Sequence, residues 1–347
     1  MRLDVAVDAL PGRAAAALAR VDVPWSVRWD ELSAVVAELS VLVRGAPETG
    51  PETGPGADSE AGTGAGSDAR AVARELAEVL VAAAQGGERR AELAGLVDRV
   101  LDLHAVACAD GPPGGGRELA AWLLWLQTAF AEPPEVRLAG YAAALGEDGL
   151  AAYRAEAVAR FERLPVIGFG RTGRYDRERW ALLRVMEELA EHTGDVDLQV
   201  LVLSRDLSSG WHYLQVATVL RDAGRSAEAV AWVERGLAAT GGRGAATRLV
   251  DLGVDECLRA GWVRRAVELR RRALLAHPGW ERYARLRSVA SSSGDWPAVR
   301  EEVLGRLARD ADDVLRHVVR EELAAVAGDR VPGWLLRWRE ELARREG

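Results

Sequence analysis

AGRSAEAVAWVERGLAATG, residues 223–241, and AGWVRRAVELRRRALLAHP, residues 260–278, are one pattern written twice. Each opens on Ala-Gly and reaches an Ala-Val pair, Ala229-Val230 in one and Ala266-Val267 in the other. A small residue and a leucine follow, Gly236-Leu237 and Ala273-Leu274. Apolar residues at this spacing share one face of a helix. Small residues at the matched points let the second helix of a pair lie close against the first and against the next pair.

The glycine that opens the pattern recurs. Gly194, Gly224, Gly261, Gly294 and Gly328 each end a helix-like run, at separations of 30, 37, 33 and 34 residues. A period near ~34 residues belongs to tetratricopeptide-type helical hairpins. Glycine suits the corner because the chain leaves the first helix through a left-handed conformation that other residues adopt only at a cost. One hairpin cannot bury its own apolar face, so stability has to come from stacked neighbours. The expected fold is therefore all-α, a helical-hairpin repeat array of the TPR-like α-solenoid type. The unit at Trp296-Pro297 lacks the small pair. The last stretch, HVVREELAAVAGDRVPGWLLRWREELARREG (residues 317–347), ends in charge and suits a terminal cap.

Upstream, the pattern stays helical. Residues 1–44 offer one helix, Trp29 to Val43, with Leu32, Val35, Val36, Leu39 and Val43 at helical spacing. GAPETGPETGPGADSEAGTGAGSD, residues 45–68, has no large apolar side chain and carries five acids without an arginine. It reads as a disordered, flexible linker. From Ala69, Leu76, Val79, Leu80 and Ala83 share a face, and a second helix runs to Ala107 before GPPGGG at 111–116. Helices follow over 117–131, 134–144 and 148–163, punctuated by Pro133-Pro134 and Gly146, with no period-two alternation. The organisation expected is an N-terminal helical segment (1–44), the linker (45–68), a helical array (69–163) and the repeat domain with its cap (164–347).

Composition narrows the function classes. Hydrophobic residues at 49% and charged residues at 28% argue against wholesale disorder. All 45 basic residues are arginine, which fits GC-rich coding bias better than an arginine-rich binding motif. A net charge of −8 counts against a dedicated nucleic-acid domain. Cys108 and Cys257 follow no CxxC or CxC spacing, so neither a disulfide framework nor a structural zinc site is expected. Asp4, Asp8, Arg13 and Arg20 break up the N-terminus, and no uncharged apolar run approaches the ~18 residues of a membrane span. The expected compartment is the cytoplasm, with no membrane partner.

Several segments look like a known family. LDLHAVAC (101–108), ALGEDGLAAYR (144–154), GDVDLQVLVLSRDLSS (194–209) and AGRSAEAVAWVERGLAA (223–239) resemble the helical region downstream of the zinc finger in bacterial SWIM zinc finger family proteins. The resemblance covers residues 70–305 and implies a TPR-like fold there. The family's defining CxC and CxH pairs are absent, so zinc and nucleic-acid contact do not carry over. What the resemblance implies is a helical accessory module that works beside a separate zinc-finger partner.

Candidate sites each have a plain competitor. Gly168-Phe169-Gly170-Arg171-Thr172-Gly173 is a formal GxGxxG, and VDLQVLVLSRD ending at Asp206 imitates a second strand. Together they outline a dinucleotide-binding unit, and hence an enzyme. Against that, Pro165 would sit inside a central strand, no further strands follow, and the second segment aligns with the second helix of a repeat. His104 and Cys108 lie one helical turn apart, a possible start of a metal site, but a buried helix contact accounts for them. His192, His212, His277 and His317 fall near expected helix ends.

From Arg259 to Arg287 nine arginines stand against Glu268 and Glu281, and Arg264, Arg265, Arg271 and Arg272 form an outward stripe suited to a nucleic-acid backbone or an acidic peptide. A solvated face balanced by acids on neighbouring helices is the preferred explanation. No catalytic, cofactor or metal site is expected. The favoured function is a non-enzymatic scaffold that binds a protein or peptide on the face lined by first helices. Its groove residues are Trp211, Leu214, Thr218 and Arg221 in one repeat, and Arg248, Asp251 and Asp255 in the next.

Overall fold

A computed structural model describes residues 7–44, 62–85, 89–109, 115–173, 176–326 and 330–346. The described residues form helices almost throughout and contain no strand. They divide into two units, residues 1–165 with 174–198, and residues 166–173 with 199–347.

The first unit contains a short 3-10 turn at Val7–Ala9, then α1 (Leu10–Ala19), α2 (Trp25–Arg44), α3 (Gly62–Ala83), α4 (Arg90–Ala109), α5 (Gly116–Ala129), α6 (Leu138–Glu162) and α7 (Arg177–Thr193). The division between units falls within α8 (Val196–Leu203). Here α3 packs on α4, α5 on α6, α6 on α7, and α1 and α2 close over α3 and α4. Where one helix was expected before residue 44, there are two. The buried face of α1 is Leu10, Pro11, Ala14 and Ala17, and alanine carries too little hydrophobic contrast to mark a stripe.

Of the expected linker, residues 45–61 lie outside the described residues, and α3 already begins at Gly62. The break expected at Gly146 is a kink: that residue has φ 57° and ψ −174° inside α6. Residues 134–137, expected to start that helix, precede it.

The second unit holds the repeats: α9 (Gly210–Asp222), α10 (Ser226–Thr240), α11 (Ala246–Arg259), α12 (Val263–Ala276), α13 (Trp280–Ser292), α14 (Trp296–Asp310), α15 (Asp312–Ala324) and α16 (Gly333–Glu346). Each packs on its sequence neighbour, and α9 on α11, α12 on α14 and α13 on α15. Contacts to the next helix and the next but one are the signature of a hairpin array.

The corners fall where the glycines put them. Gly194, Gly224, Gly261 and Gly294 have φ of 62°, 74°, 75° and 77°, and no residue other than glycine has positive φ among the described residues. Gly328 lies outside them. Ala229, Val230 and Ala266 are fully buried, and Val267 nearly so. A Cβ on Gly236 would lie 2.7 Å from Tyr213 Cβ, so α10 approaches α9 at a distance that only glycine permits. The core of this unit falls into three clusters between α9 and α16, linked by the partly buried Leu237 and Val289, with Leu335 and Leu342 of α16 in the last of them.

Candidate functional site

Two first helices, α9 and α11, carry the residues expected to line a groove. Trp211 stands at the start of α9 and is 47% exposed, unusual for an indole. The Arg248 guanidinium lies over its ring, 4.7 Å from the centroid. Tryptophan and arginine from successive first helices thus meet on one face. Leu214 leans on the cluster of Leu207, Tyr213 and Leu249, and Thr218 is half-buried. Arg221 turns to its neighbour Asp222, with Nε donating to the carboxylate at 2.9 Å. Asp251 accepts from Arg270 at 2.5 Å and from Arg285 at 3.2 Å, tying α11 to α12 and α13. Asp255 is exposed. Of the seven, Trp211 and Arg248 form a unit; Asp251 braces three helices.

The basic stripe is largely matched by acids. Arg265 pairs with Glu234 at 2.9 Å, Arg271 with Glu268 at 2.7 Å and Glu302 at 2.5 Å, and Arg272 with Glu268 at 2.7 Å. The hydrogen bond to Glu234 raises the pKa of Arg265, and hydrogen bonds from Arg271 and then Arg272 outweigh burial to lower that of Glu268. Arg264 is exposed. Glu234 and Glu302 sit on α10 and α14, which flank α12. The sequence could not show that these acids would face the stripe.

The glycine motif is a strap rather than a cradle. Ile167 and Asp206 form a single parallel bridge, where Ile167 N–H donates to Arg205 O at 3.0 Å and Leu207 N–H to Ile167 O at 2.8 Å. Gly170 N–H donates to Ser208 O and Arg171 N–H to Gly168 O, so two amides a phosphate would need are already engaged. A Cβ on Gly173 would meet Ile167 Cδ1 at 2.6 Å. The would-be second strand is α8, and the Asp206 carboxylate accepts from Ser208 N–H at 2.9 Å. At the start of α7, Asp176 accepts from the Glu178 and Arg179 amides, satisfying that terminus with a carboxylate.

His104 and Cys108 lie in the core of the first unit. Tyr141 donates its hydroxyl proton to Leu101 O at 2.9 Å, so it accepts from His104 Nδ1 at 3.1 Å. That fixes the tautomer, leaving the Nε2 lone pair facing Cys108 Sγ at 3.6 Å. Burial, helped by the Arg74 and Arg70 charges, pushes His104 down to about 3; burial pushes the Cys108 thiol up to about 11. Both are neutral near pH 7, a pairing of thiol and imidazole without thiolate character. Among the described residues no three His, Cys, Asp or Glu side chains converge on a point where a metal would sit. His212 joins Ser209 in the cap of α9, while His192 and His277 lie at helix ends. His317 does not: it sits inside α15, edge-on to Trp280 at 6.2 Å.

One feature had no sequence signal. A cavity of about 440 Å³ opens among α10, α11, α12 and α13, with Leu237, Val250, Leu269 and Ala273 in its wall and arginines at its mouth. Among the described residues no helix is long and apolar enough to cross a membrane.

Comparison with family models and with curated proteins finds no match. The functional reading therefore rests on the chain's own residues.

Proposed function

We propose that the protein is a helical-repeat adaptor that holds a protein or peptide partner on the face formed by α9 and α11. The observation that carries this reading is the half-exposed Trp211 with Arg248 stacked on it. An indole held rigid by a neighbour loses little freedom on binding and offers a large apolar area beside a hydrogen-bonding guanidinium. Both residue types dominate binding energy at interfaces. The hairpin array supports the same reading, since such stacks present successive first helices as an extended docking surface. The resemblance to the region beside SWIM zinc fingers points the same way, with a separately encoded zinc-finger protein as the first partner to try.

The test is affinity capture from cells that express the protein, comparing wild type with Trp211→Ala and Arg248→Ala. Trp125, exposed in the first unit, supplies the control Trp125→Ala. Proteins retained by wild type and by the control should fall about tenfold or more with either variant, at unchanged melting temperature. Equal retention by all four proteins removes the assignment.

A further inference from the structure

The cavity among α10 to α13 combines two properties that do not usually meet in a structural void. Its wall is aliphatic: Leu237, Val250, Leu269 and Ala273, with no Phe, Tyr or Trp to stack on a base or an aromatic ring. Small residues keep it open. Gly241 and Gly242 take φ of 59° and 78° at its edge, and Ala276 lies at its rim. Its mouth carries the guanidinium groups of Arg272, Arg282 and Arg285, with His277 beside them.

The charges there are unevenly matched. Arg285 shares Asp251 with Arg270, and Arg272 pairs with Glu268. Glu234, the acid that lines the cavity, is held by Arg265. Arg282 differs: its Nη1 donates to the main-chain carbonyl of His277 at 3.1 Å, and no carboxylate pairs with it among the described residues. A solvent-facing guanidinium with no carboxylate partner among those residues, beside an aliphatic cavity, is complementary to an anion that carries a hydrocarbon chain.

We propose that this cavity binds an aliphatic carboxylic acid, with the chain between α10 and α12 and the carboxylate at Arg282. A guanidinium matches a carboxylate through paired N–H donors, and the walls remove the chain from water at each methylene. The volume of about 440 Å³ has room for a chain of medium length, and the wall offers no aromatic side chain to stack on a ring. The site is independent of the adaptor reading: acid uptake at Arg282 and partner capture at Trp211 can fail separately.

Calorimetric titration of the full chain with decanoate, kept below its micelle concentration, tests the proposal against decanol and a short peptide ending in leucine. Saturable uptake of one decanoate per chain is expected, with decanol weaker by about tenfold or more. Arg282→Glu should weaken decanoate by a similar factor and leave decanol unchanged. Ala276→Trp fills the mouth from an exposed position and should abolish uptake of both without changing the unliganded melting temperature. Arg264→Glu, on the exposed stripe, should bind as wild type does. The proposal is overturned by absent saturation, by equal affinity for acid and alcohol, by uptake that survives Ala276→Trp, or by preference for the peptide over decanoate.

Discussion

A single methyl group separates Gly236 from its repeat counterpart, Ala273, and the two sites do not tolerate the same residue. At Gly236 an added Cβ meets Tyr213 Cβ at 2.7 Å and Cγ at 3.0 Å, so Gly236→Ala should destabilise by about 1–3 kcal/mol through overpacking. Gly305, inside α14, faces open space, and Gly305→Ala should stabilise by about 1 kcal/mol through helix propensity alone. Urea melts of the two variants should shift in opposite directions; a shared sign contradicts the packing argument.

His104 gives a prediction in pH. Its folded pKa of about 3 lies below the ordinary histidine value of 6.5, so the unfolded chain binds the extra proton across that window. Stability is fully present above 6.5 and is lost as pH falls towards 3, by up to about 1.4 kcal/mol per pH unit for one proton. Between pH 6.5 and 5, where few carboxylates titrate, His104→Asn should flatten that slope; equal slopes would show that another group sets it. The repeat alignment could place Trp211 and Arg248 on one face. It could not place Glu234 opposite Arg265, because that meeting depends on the angle between two helices.

At the level of elements, the corners were the most legible feature, since positive φ is a demand the chain makes locally. Gly261 has φ 75°, and nothing else crowds it. Gly261→Ala should therefore cost about 1–2 kcal/mol from backbone strain alone, read as a lower denaturant midpoint at unchanged m-value. Features that rest on contact between distant segments stayed hidden. The bridge of Ile167 with Asp206 is a single pairing with no period to read. The small helix α1 hides its face in alanines, and the cavity arises from what four helices fail to fill. The sequence around His317 does not mark the boundaries of α15, so periodicity alone sets that residue near a helix end although it lies inside the helix.

For the second unit as a whole, stability is passed from neighbour to neighbour. One cluster joins α12 to α16, and others hold α9 to α12. Leu335 is fully buried in the terminal cluster, so Leu335→Ala should cost about 2–5 kcal/mol. Hydrogen exchange should then quicken in α13 to α16 while α9 to α11 keep their protection; uniform loss across α9 to α16 would mean that the unit unfolds as one body.

The nearest-neighbour packing of α9 to α16 also has a mechanical meaning. Tension applied to the two ends of such a stack would peel hairpins away in turn, giving a sawtooth rather than one rupture. Between those events small tilts at each glycine joint add up, and the stack behaves as a spring whose stiffness falls with the number of hairpins in it.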